Sequence, residues 1–246
     1  MSLVLPGDAI PLPASSSLTL GPGLTASSSR SSSSLLSEPD ESSAPRLAAT
    51  KLGVLGSNSK GKEKGESMWV EGRSKRYIPA QKELVLGTII ARHAEGYRVD
   101  IGSSQMASLD ALAFEGATKR SKPNLKVGTL VYARLSLANR DMEPEIECFD
   151  AATGKAEGFG ELKGGLLLTV SLELCRQLLS PKHPLLQTLA GQFPFETAIG
   201  MNGRIWVKAG SVGETIALKR VIEAVNNGEL GTSKTELDGA VKQMLA

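Results

Sequence analysis

Apolar and polar positions alternate most clearly in the middle of the chain. Between residues 84 and 149, short apolar runs are separated by turn residues, and Tyr97–Ile101 alternates apolar and polar side chains with a period of two. We predict strands at Leu84–Ala91, Tyr97–Ile101, Gln105–Ala111, Gly128–Leu137 and Met142–Phe149. Five short strands with one longer connection, at 112–127, are typical of a small closed barrel of the OB type.

Past Gly154 the spacing of apolar residues becomes that of a mixed α/β fold. Ser171 can cap the N-terminus of a helix that Pro181 ends. The predicted elements are strand Gly165–Val170, helices Leu172–Leu179 and Pro184–Ala190, strands Phe195–Ile199 and Arg204–Lys208, and helices Gly213–Asn227 and Lys234–Leu245. The apolar face of the longest helix is predicted to comprise Ile216, Leu218, Val221, Ile222 and Val225.

The first 80 residues have a weaker pattern. Short strands are predicted at Leu52–Leu55 and Met68–Val70. Residues 14–46 are rich in Ser and bury too little apolar surface to offset their ordering entropy, so we interpret them as a disordered insertion. The charged run Lys60–Glu66 is interpreted as a solvated loop, with a weak nuclear-import signal as the alternative. The predicted domains are 1–80, 81–150 and 151–246.

Charge and composition restrict the possible functions. The net charge is only +2, with 28 basic and 26 acidic residues, so any charge that binds nucleic acid must be local. Aromatic residues make up 4% of the chain, which disfavours a broad base-stacking surface. No long apolar run or secretory leader is recognisable, so we expect an intracellular, soluble protein with no membrane partner. Cys148 and Cys175 lie outside any zinc-binding pattern and are expected to be buried thiols.

No catalytic constellation is recognisable. The two histidines, His93 and His183, have no Ser or Cys partner in a nucleophile motif, and no phosphate-binding glycine motif occurs. Glu143, Glu145 and Glu147 would share one face of a strand and could bind Mg²⁺, but we favour a solvated strand face. We therefore predict no catalytic residue, no metal and no cofactor.

A cationic cluster interrupts the balanced charge of the predicted barrel. Its members lie on the long connection, with no acidic residue between 116 and 128, and are Lys119, Arg120, Lys122 and Lys126. Clustered cations are the electrostatic pattern expected of RNA phosphate contact. An exposed cationic loop can equally dock an acidic protein surface, and the residues alone do not choose.

Two arginines at the predicted barrel strands are further candidates for RNA contact. Arg92 follows the first strand, and Arg98 lies on the second. By alternation, Tyr97 faces the core and Arg98 points the opposite way. OB-type barrels bind oligonucleotides on strand faces that combine cations with aromatic residues, so both arginines are included as candidate RNA-binding residues.

The segment Gly200-Met-Asn-Gly203 requires a choice between two interpretations. An ordinary KH domain grips RNA with a Gly-x-x-Gly loop between two helices. Here both flanks are β-like, and Asn202-Gly203 is a favoured pair for a tight turn that needs positive φ. We therefore predict a strand–turn–strand in which Gly200, Asn202 and Gly203 serve backbone geometry rather than RNA binding.

Five motifs in this order resemble a known family. They are Val4-Leu-Pro-Gly-Asp8, Gly21-Pro-Gly-Leu24, Phe114-Glu-Gly-Ala-Thr-Lys-Arg120, Asn139-Arg-Asp-Met-Glu-Pro-Glu145 and Gly200-Met-Asn-Gly-Arg-Ile-Trp-Val207. Their combination closely resembles the smaller S1/KH cap subunit of the eukaryotic RNA exosome, over nearly the whole chain. The main departure from the family pattern is the Ser-rich stretch at 25–46.

The resemblance implies an N-terminal β domain, an S1-type OB β-barrel and a C-terminal KH-like α/β domain. It also implies a non-catalytic, RNA-binding subunit that sits on a ring of RNase PH-like subunits beside other cap subunits. Such a subunit would guide RNA toward separate nucleases in the nucleus, the nucleolus and the cytoplasm. The alternatives are a subunit of a phosphorolytic RNA-degrading enzyme and a free-standing RNA chaperone.

Overall fold

The computed structural model divides the chain into two compact units, Met1–Arg73 and Ser74–Ala246. It describes residues 2–12, 17–27, 46–59, 66–72, 74–139, 141–180, 183–230, 237 and 239–240. Among these residues, no helix is long and apolar enough to cross a membrane.

Two small sheets form the N-terminal unit. Its strands are β1 (Leu3–Val4), β2 (Ala9–Ile10), β3 (Leu18–Leu20), β4 (Leu24–Ser27), β5 (Arg46–Ala49), β6 (Gly53–Ser59) and β7 (Glu66–Glu71). One sheet has the order β1-β6-β7-β3 and the other β2-β5-β4. Their shared core contains Val4, Ile10, Leu47, Ala49, Met68 and Val70. The strands predicted around Leu52–Leu55 and Met68–Val70 are thus present and longer than expected.

Part of the segment interpreted as a disordered insertion is regular structure, which corrects the prediction for 14–46. Strands β3 and β4 lie within it, and Leu18 and Leu24 pack against the core. The turn between them comes close to β7, since the Gly21 N–H donates to the Met68 carbonyl at 2.7 Å. A Cβ at Gly21 would lie 2.7 Å from the Trp69 Cβ, so only glycine fits. Residues 28–45, and residues 60–65 of the charged run predicted to be a solvated loop, lie outside the described residues.

A closed barrel begins the second unit, as the alternating pattern predicted. Its strands are β8 (Leu84–Arg92), β9 (Gly96–Asp100), β10 (Ala107–Phe114), β11 (Leu130–Leu137) and β12 (Glu145–Cys148). The order is β12-β10-β9-β8-β11, and pairing of β12 with β11 closes the barrel. Alternate side chains such as Val85, Tyr97, Val99 and Val131 fill the interior. A sixth strand, β13 (Gly160–Leu162), lies beyond the boundary predicted at residue 150 and pairs with β11.

The α/β domain has the element order that the sequence predicted. It comprises β14 (Leu166–Thr169), α1 (Leu172–Leu179), α2 (Pro184–Ala190), β15 (Phe195–Gly200), β16 (Arg204–Ala209) and α3 (Val212–Asn227). The sheet order is β14-β16-β15. The Ser171 side chain caps α1 by accepting from the Leu174 N–H. The helix predicted at Lys234–Leu245 lies mostly outside the described residues, although Leu237 is buried in the domain core.

One residue of the predicted apolar face of α3 is misassigned. Leu218, Val221, Ile222 and Val225 are buried as expected, whereas Ile216 is exposed. Ile216 precedes Leu218 by two residues, which is a rotation of about 200° around a helix and turns its side chain away from the core. The apolar pattern identified the helix correctly but made its buried face too wide.

The barrel and the KH-like sheet pack directly on each other. Leu86 on the outer face of β8 is buried with Ala198 and Trp206 of the sheet. Leu130 and Tyr132 of β11 border the same cluster. One face of the KH-like sheet therefore packs on its helices and the other on the barrel, so Trp206 is 4% exposed although it alternates with buried Ile205 and Val207.

Candidate RNA-binding surface

The long barrel connection between β10 and β11 is anchored to the barrel wall. The Tyr97 hydroxyl donates to the Pro123 carbonyl and accepts from the Leu125 N–H. Arg92 Nη1 donates to Asn124 Oδ1. Tyr97 is buried in the barrel, as alternation predicted, so its hydroxyl ties the connection to the core. Residues 115–129 are therefore a supported surface loop, which we call the cationic loop.

The four predicted cations of the cationic loop are free for binding. Lys119, Arg120, Lys122 and Lys126 are exposed, and none pairs with a described residue. Two arginines elsewhere in the unit are already paired with carboxylates. Arg134 pairs with Glu147 at 2.6 Å and with Asp150 at 2.8 Å, and Arg204 pairs with Asp100 at 2.6 Å. Unneutralised, clustered cations are what contact with a phosphate backbone requires.

The two strand arginines have different surroundings. Arg92 lies at the base of the cationic loop through its bond to Asn124 and adds to the positive surface. Arg98 lies on the outer face of β9, where Glu143 neutralises it at 2.6 Å. Glu95 and Asp110 are also exposed around this face. The strand face that OB-type barrels commonly use is therefore acidic here, and the cation surplus lies on the loop.

None of the aromatic side chains is exposed at the surface. All ten Phe, Tyr and Trp residues lie in the described ranges, and each is buried or half-buried. Tyr132 and Phe159, for example, pack against each other at a tilt, with ring centroids 5.3 Å apart. Stacking platforms for bases need accessible rings, so the cationic loop can contact phosphates but offers no partner of that kind for bases.

The predicted row of three glutamates is present only in part. Glu145 and Glu147 alternate with buried Ile146 and Cys148 and so share the outer face of β12, as predicted. Glu143 precedes β12 and pairs with Arg98, while Glu147 pairs with Arg134. Glu145 is exposed on the strand. Among the residues that the structure describes, no group of three or more His, Cys, Asp or Glu side chains could hold a metal ion. Arg98 and Arg134 thus neutralise two of the three carboxylates.

The predicted strand–turn–strand at Gly200–Gly203 is confirmed. Strands β15 and β16 pair from Phe195–Ala209 to Gly200–Arg204. Gly203 has φ of +76°, and a Cβ there would lie 2.9 Å from the Val170 carbonyl oxygen. Gly203 therefore meets a requirement of the backbone and of close packing at this turn.

Asn202 has a different role from the one that the sequence indicated. It does not have positive φ, and its buried side chain points into the barrel–KH contact. Its Nδ2 donates to the carbonyls of Leu86 at 2.7 Å and Ile101 at 2.8 Å, and its Oδ1 accepts from the Leu86 N–H at 3.2 Å. Three hydrogen bonds thus join the two domains through one side chain. No local signal could show this, since Leu86 is 116 residues away.

The ion pair between Arg204 and Asp100 adds to this contact between the barrel and the KH-like domain. We call the contacts that Asn202 and Arg204 make with the barrel the joint. Arg204 donates to the Asp100 carboxylate and to the Asp100 carbonyl, both at 2.6 Å. Burial alone would raise the pKa of the Asp100 carboxyl. Hydrogen bonds from Arg204 and the Gly102 N–H, with the Arg204 charge, outweigh burial and hold that pKa below its ordinary value. Asp100 therefore stays ionised at neutral pH, and its carboxylate pairs with the largely buried side chain of Arg204.

The loop between α1 and α2, where an ordinary KH domain grips RNA, has no glycine. Its sequence is Ser180-Pro-Lys-His183. The His183 Nδ1 accepts from the Leu185 N–H at 3.4 Å and so caps α2, and burial lowers the pKa of this imidazole. A capping histidine and a proline replace the flexible glycines that let a KH loop approach the RNA backbone.

Both cysteines are buried and unpaired, as predicted. Burial raises the pKa of each thiol to about 12, and for Cys148 the nearby Glu147 charge adds to this effect. Such thiols stay protonated and do not act as nucleophiles at neutral pH.

A five-stranded barrel joined to a strand–helix–helix–strand–strand–helix domain defines a protein of the S1/KH class. Family models support this: the "Exosome complex component RRP40, S1 domain" matches residues 77–160. A "KH domain" model matches 165–213, and the "Exosome complex exonuclease Rrp40 N-terminal domain" matches 18–76.

The chain belongs to the Rrp40 family of exosome complex components. It is 46% identical to the exosome complex component rrp40 of Schizosaccharomyces pombe, covering 96% of this chain and 92% of that protein. It is 44% identical to a putative exosome complex component rrp40 of Dictyostelium discoideum, covering 89% and 84%. A crystal structure of a putative exosome complex RNA-binding protein shares the fold, with a TM-score of 0.58, 19% identity, and 69% and 97% of the two chains covered.

Proposed function

We propose that this protein is a non-catalytic cap subunit of an RNA exosome that guides RNA by holding its phosphates on the cationic loop. The observation that carries the proposal is the set of four exposed cations without a described partner, on a loop anchored by Tyr97 and Arg92. Family membership supports the assembly, with RNase PH-like ring subunits and other cap subunits as the proposed neighbours.

The proposed contact is with the RNA backbone rather than with bases. Phosphates carry the same charge at every nucleotide, so a loop of cations binds RNA without regard to sequence. The burial or half-burial of every aromatic ring supports this, since base stacking needs accessible rings. Sequence-independent contact suits a subunit that passes many RNAs to a nuclease.

We further propose that the chain has no nuclease activity of its own. The arginine pairs of Glu143 and Glu147 support this, because two-metal hydrolysis needs clustered carboxylates that are free to bind metal ions. The purified chain should therefore leave a 3′-labelled RNA intact with Mg²⁺ or with phosphate. Processive shortening by homogeneous protein, abolished by Glu145→Gln, would contradict this.

The test of RNA guidance replaces Lys119, Arg120, Lys122 and Lys126 with Ala in the reconstituted complex. Affinity for a fluorescent single-stranded RNA should fall, and the slope of log K against log salt should flatten by about 1 to 3, because each lost phosphate contact removes about 0.7 from the slope.

A matched control removes the same charge elsewhere. Lys75, Lys155, Arg176 and Arg220 are exposed and without described ion-pair partners, so their fourfold Ala variant changes net charge equally. It should keep the salt slope of the wild type. If the salt slope of RNA binding flattens equally in both variants, overall charge explains the change. That result would overturn the proposal that the cationic loop contacts RNA.

A further inference from the structure

The outer face of the β8–β11 pair runs beyond the part that the KH-like domain covers. Along β8, Val85 and Ile89 point into the barrel, so Leu86, Thr88 and Ile90 point outward. Leu86 is fully buried against the KH-like sheet, Thr88 is half-buried, and Ile90 is 44% exposed. One apolar strand face is thus covered at one end and open at the other.

A tight turn at the start of β11 extends the open end. The Ile89 N–H donates to the Thr129 carbonyl at 3.0 Å, and the Gly128 N–H donates to the Ile89 carbonyl at 2.8 Å. Ile90 therefore lies beside this turn, in which the Thr129 N–H donates to the Lys126 carbonyl and Gly128 has φ of +88°. Val127, at the corner of the turn, is 64% exposed.

The turn geometry fixes the position of Val127. Gly128 adopts the left-handed conformation that the third position of a type II turn needs, and no atom lies within 4 Å of the place where its Cβ would be. Ile90 follows Ile89, whose N–H and carbonyl both bond this turn, and lies where the register between β8 and β9 shifts. Two large aliphatic side chains are therefore held in place at the surface, so little entropy is lost when a partner covers them.

Cations flank this apolar pair. Lys126 precedes Val127, and Arg92 follows Ile90 by two residues with one Nη1–H donated to Asn124. No described carboxylate pairs with either. An apolar centre with a positively charged edge matches the arrangement of a protein interface, with a complementary negative edge on the partner.

We propose that Ile90 and Val127 form a docking surface for a neighbouring protein of the assembly, one that presents an aliphatic side chain bordered by carboxylates. The inference rests on the proposed place of this protein within an exosome. Two features carry it: the surface continues the apolar strip that the KH-like domain already covers, and its edge is basic. RNA fits less well, because aliphatic side chains offer bases no ring to stack on.

The test uses Ile90→Asp and Val127→Asp in the full chain, each placing a carboxylate against the acidic edge of the partner. Incorporation into a complex reconstituted from purified subunits, in competition with tagged wild-type protein, should fall at least tenfold. Ile90→Leu should compete as well as the wild type. The matched control is Ile78→Asp, which alters a side chain that is 71% exposed elsewhere in the same unit and should leave competition unchanged.

Three readouts separate the outcomes. Melting temperatures of all variants should match the wild type, since each altered side chain is exposed. If Ile90→Asp has a lower melting temperature than the wild type, the competition result of Val127→Asp, at the corner of the turn, becomes the test. Normal competition by Val127→Asp would overturn the proposal, as would lost RNA affinity with normal assembly, which would assign the surface to RNA. Failure of the wild-type chain to join the complex would instead contradict the proposed function.

Discussion

The turn at Gly200–Gly203 and the cationic loop are both polar connections between strands, yet they differ in what their side chains can do. The side chains of Asn202 and Arg204 make all their described hydrogen bonds with the barrel, at distances of 2.6 to 3.4 Å. Lys119 and Arg120 point to solvent and pair with no described residue. A buried polar group is committed to its partners because leaving it unpaired is costly, whereas an exposed cation remains available.

The comparison separates a joint from a binding surface. Two connections between strands can both look suited to RNA, but a guanidinium that already bonds Asp100 cannot hold a phosphate as well. Substitutions at the joint should therefore change stability and spare RNA binding, and those in the cationic loop should do the reverse.

The largest effect is expected from Asn202→Ala. It leaves the Leu86 N–H and the Ile101 carbonyl without their Asn202 partner in a buried contact, and it leaves the Leu86 carbonyl with only the 3.4 Å bond from Arg204. The free energy of unfolding should therefore fall by about 2–4 kcal/mol. Urea unfolding of the full chain measures this. Asn227→Ala, which removes an exposed side chain, should change the same quantity by less than about 0.5 kcal/mol. Equal stability of both variants would show that Asn202 is not a joint.

A smaller loss is expected from Gly203→Ala. Alanine at φ of +76° is strained, and its Cβ would meet the Val170 carbonyl, so the free energy of unfolding should fall by about 1–3 kcal/mol while RNA affinity of the complex stays unchanged. Gly213→Ala is the control, because it lies in α3 with open space and should be neutral or slightly stabilising. Normal melting of Gly203→Ala with lost RNA binding would restore an RNA-gripping role for this turn.

The pH dependence of the joint should depend on Arg204. The pKa of Asp100 is lowered in the folded state, so its contribution is present above the unfolded pKa, near 3.8, and is lost as pH falls through the folded value. The melting temperature of Arg204→Ala should lie below that of the wild type at neutral pH, and the gap should narrow below about pH 4. A gap that is constant from pH 7 to pH 2.5 would mean that the ion pair does not stabilise the joint.

The smallest effect is expected from Arg98→Ala. Glu143 already neutralises this side chain, and both members are about half exposed, so the free energy of unfolding should change by less than about 0.5 kcal/mol. RNA affinity of the complex should also change little, since no free cation is lost. A loss of affinity comparable to that of the fourfold loop variant would move the RNA path onto the β9 face.

Local sequence pattern determined the elements of the barrel and of the KH-like domain. Period-two alternation around Tyr97 identified the barrel strands, Ser171 marked the start of α1, and Asn202-Gly203 marked a tight turn between strands. The cationic loop was also visible, since four cations without an intervening acid are a local feature of the chain. These properties depend on neighbours a few residues away, so they can be read without a fold.

Only the tertiary structure decided which groups are free. It paired Arg98 with Glu143 across 45 residues, turned Ile216 outward, placed Leu18 and Leu24 in a core despite their Ser-rich surroundings, and made Asn202 the link to Leu86. In each case the outcome depends on a partner that is distant in the sequence but close in space. Whether a residue is buried or paired depends on that partner as much as on the residue itself. The local sequence pattern carries no information about the partner.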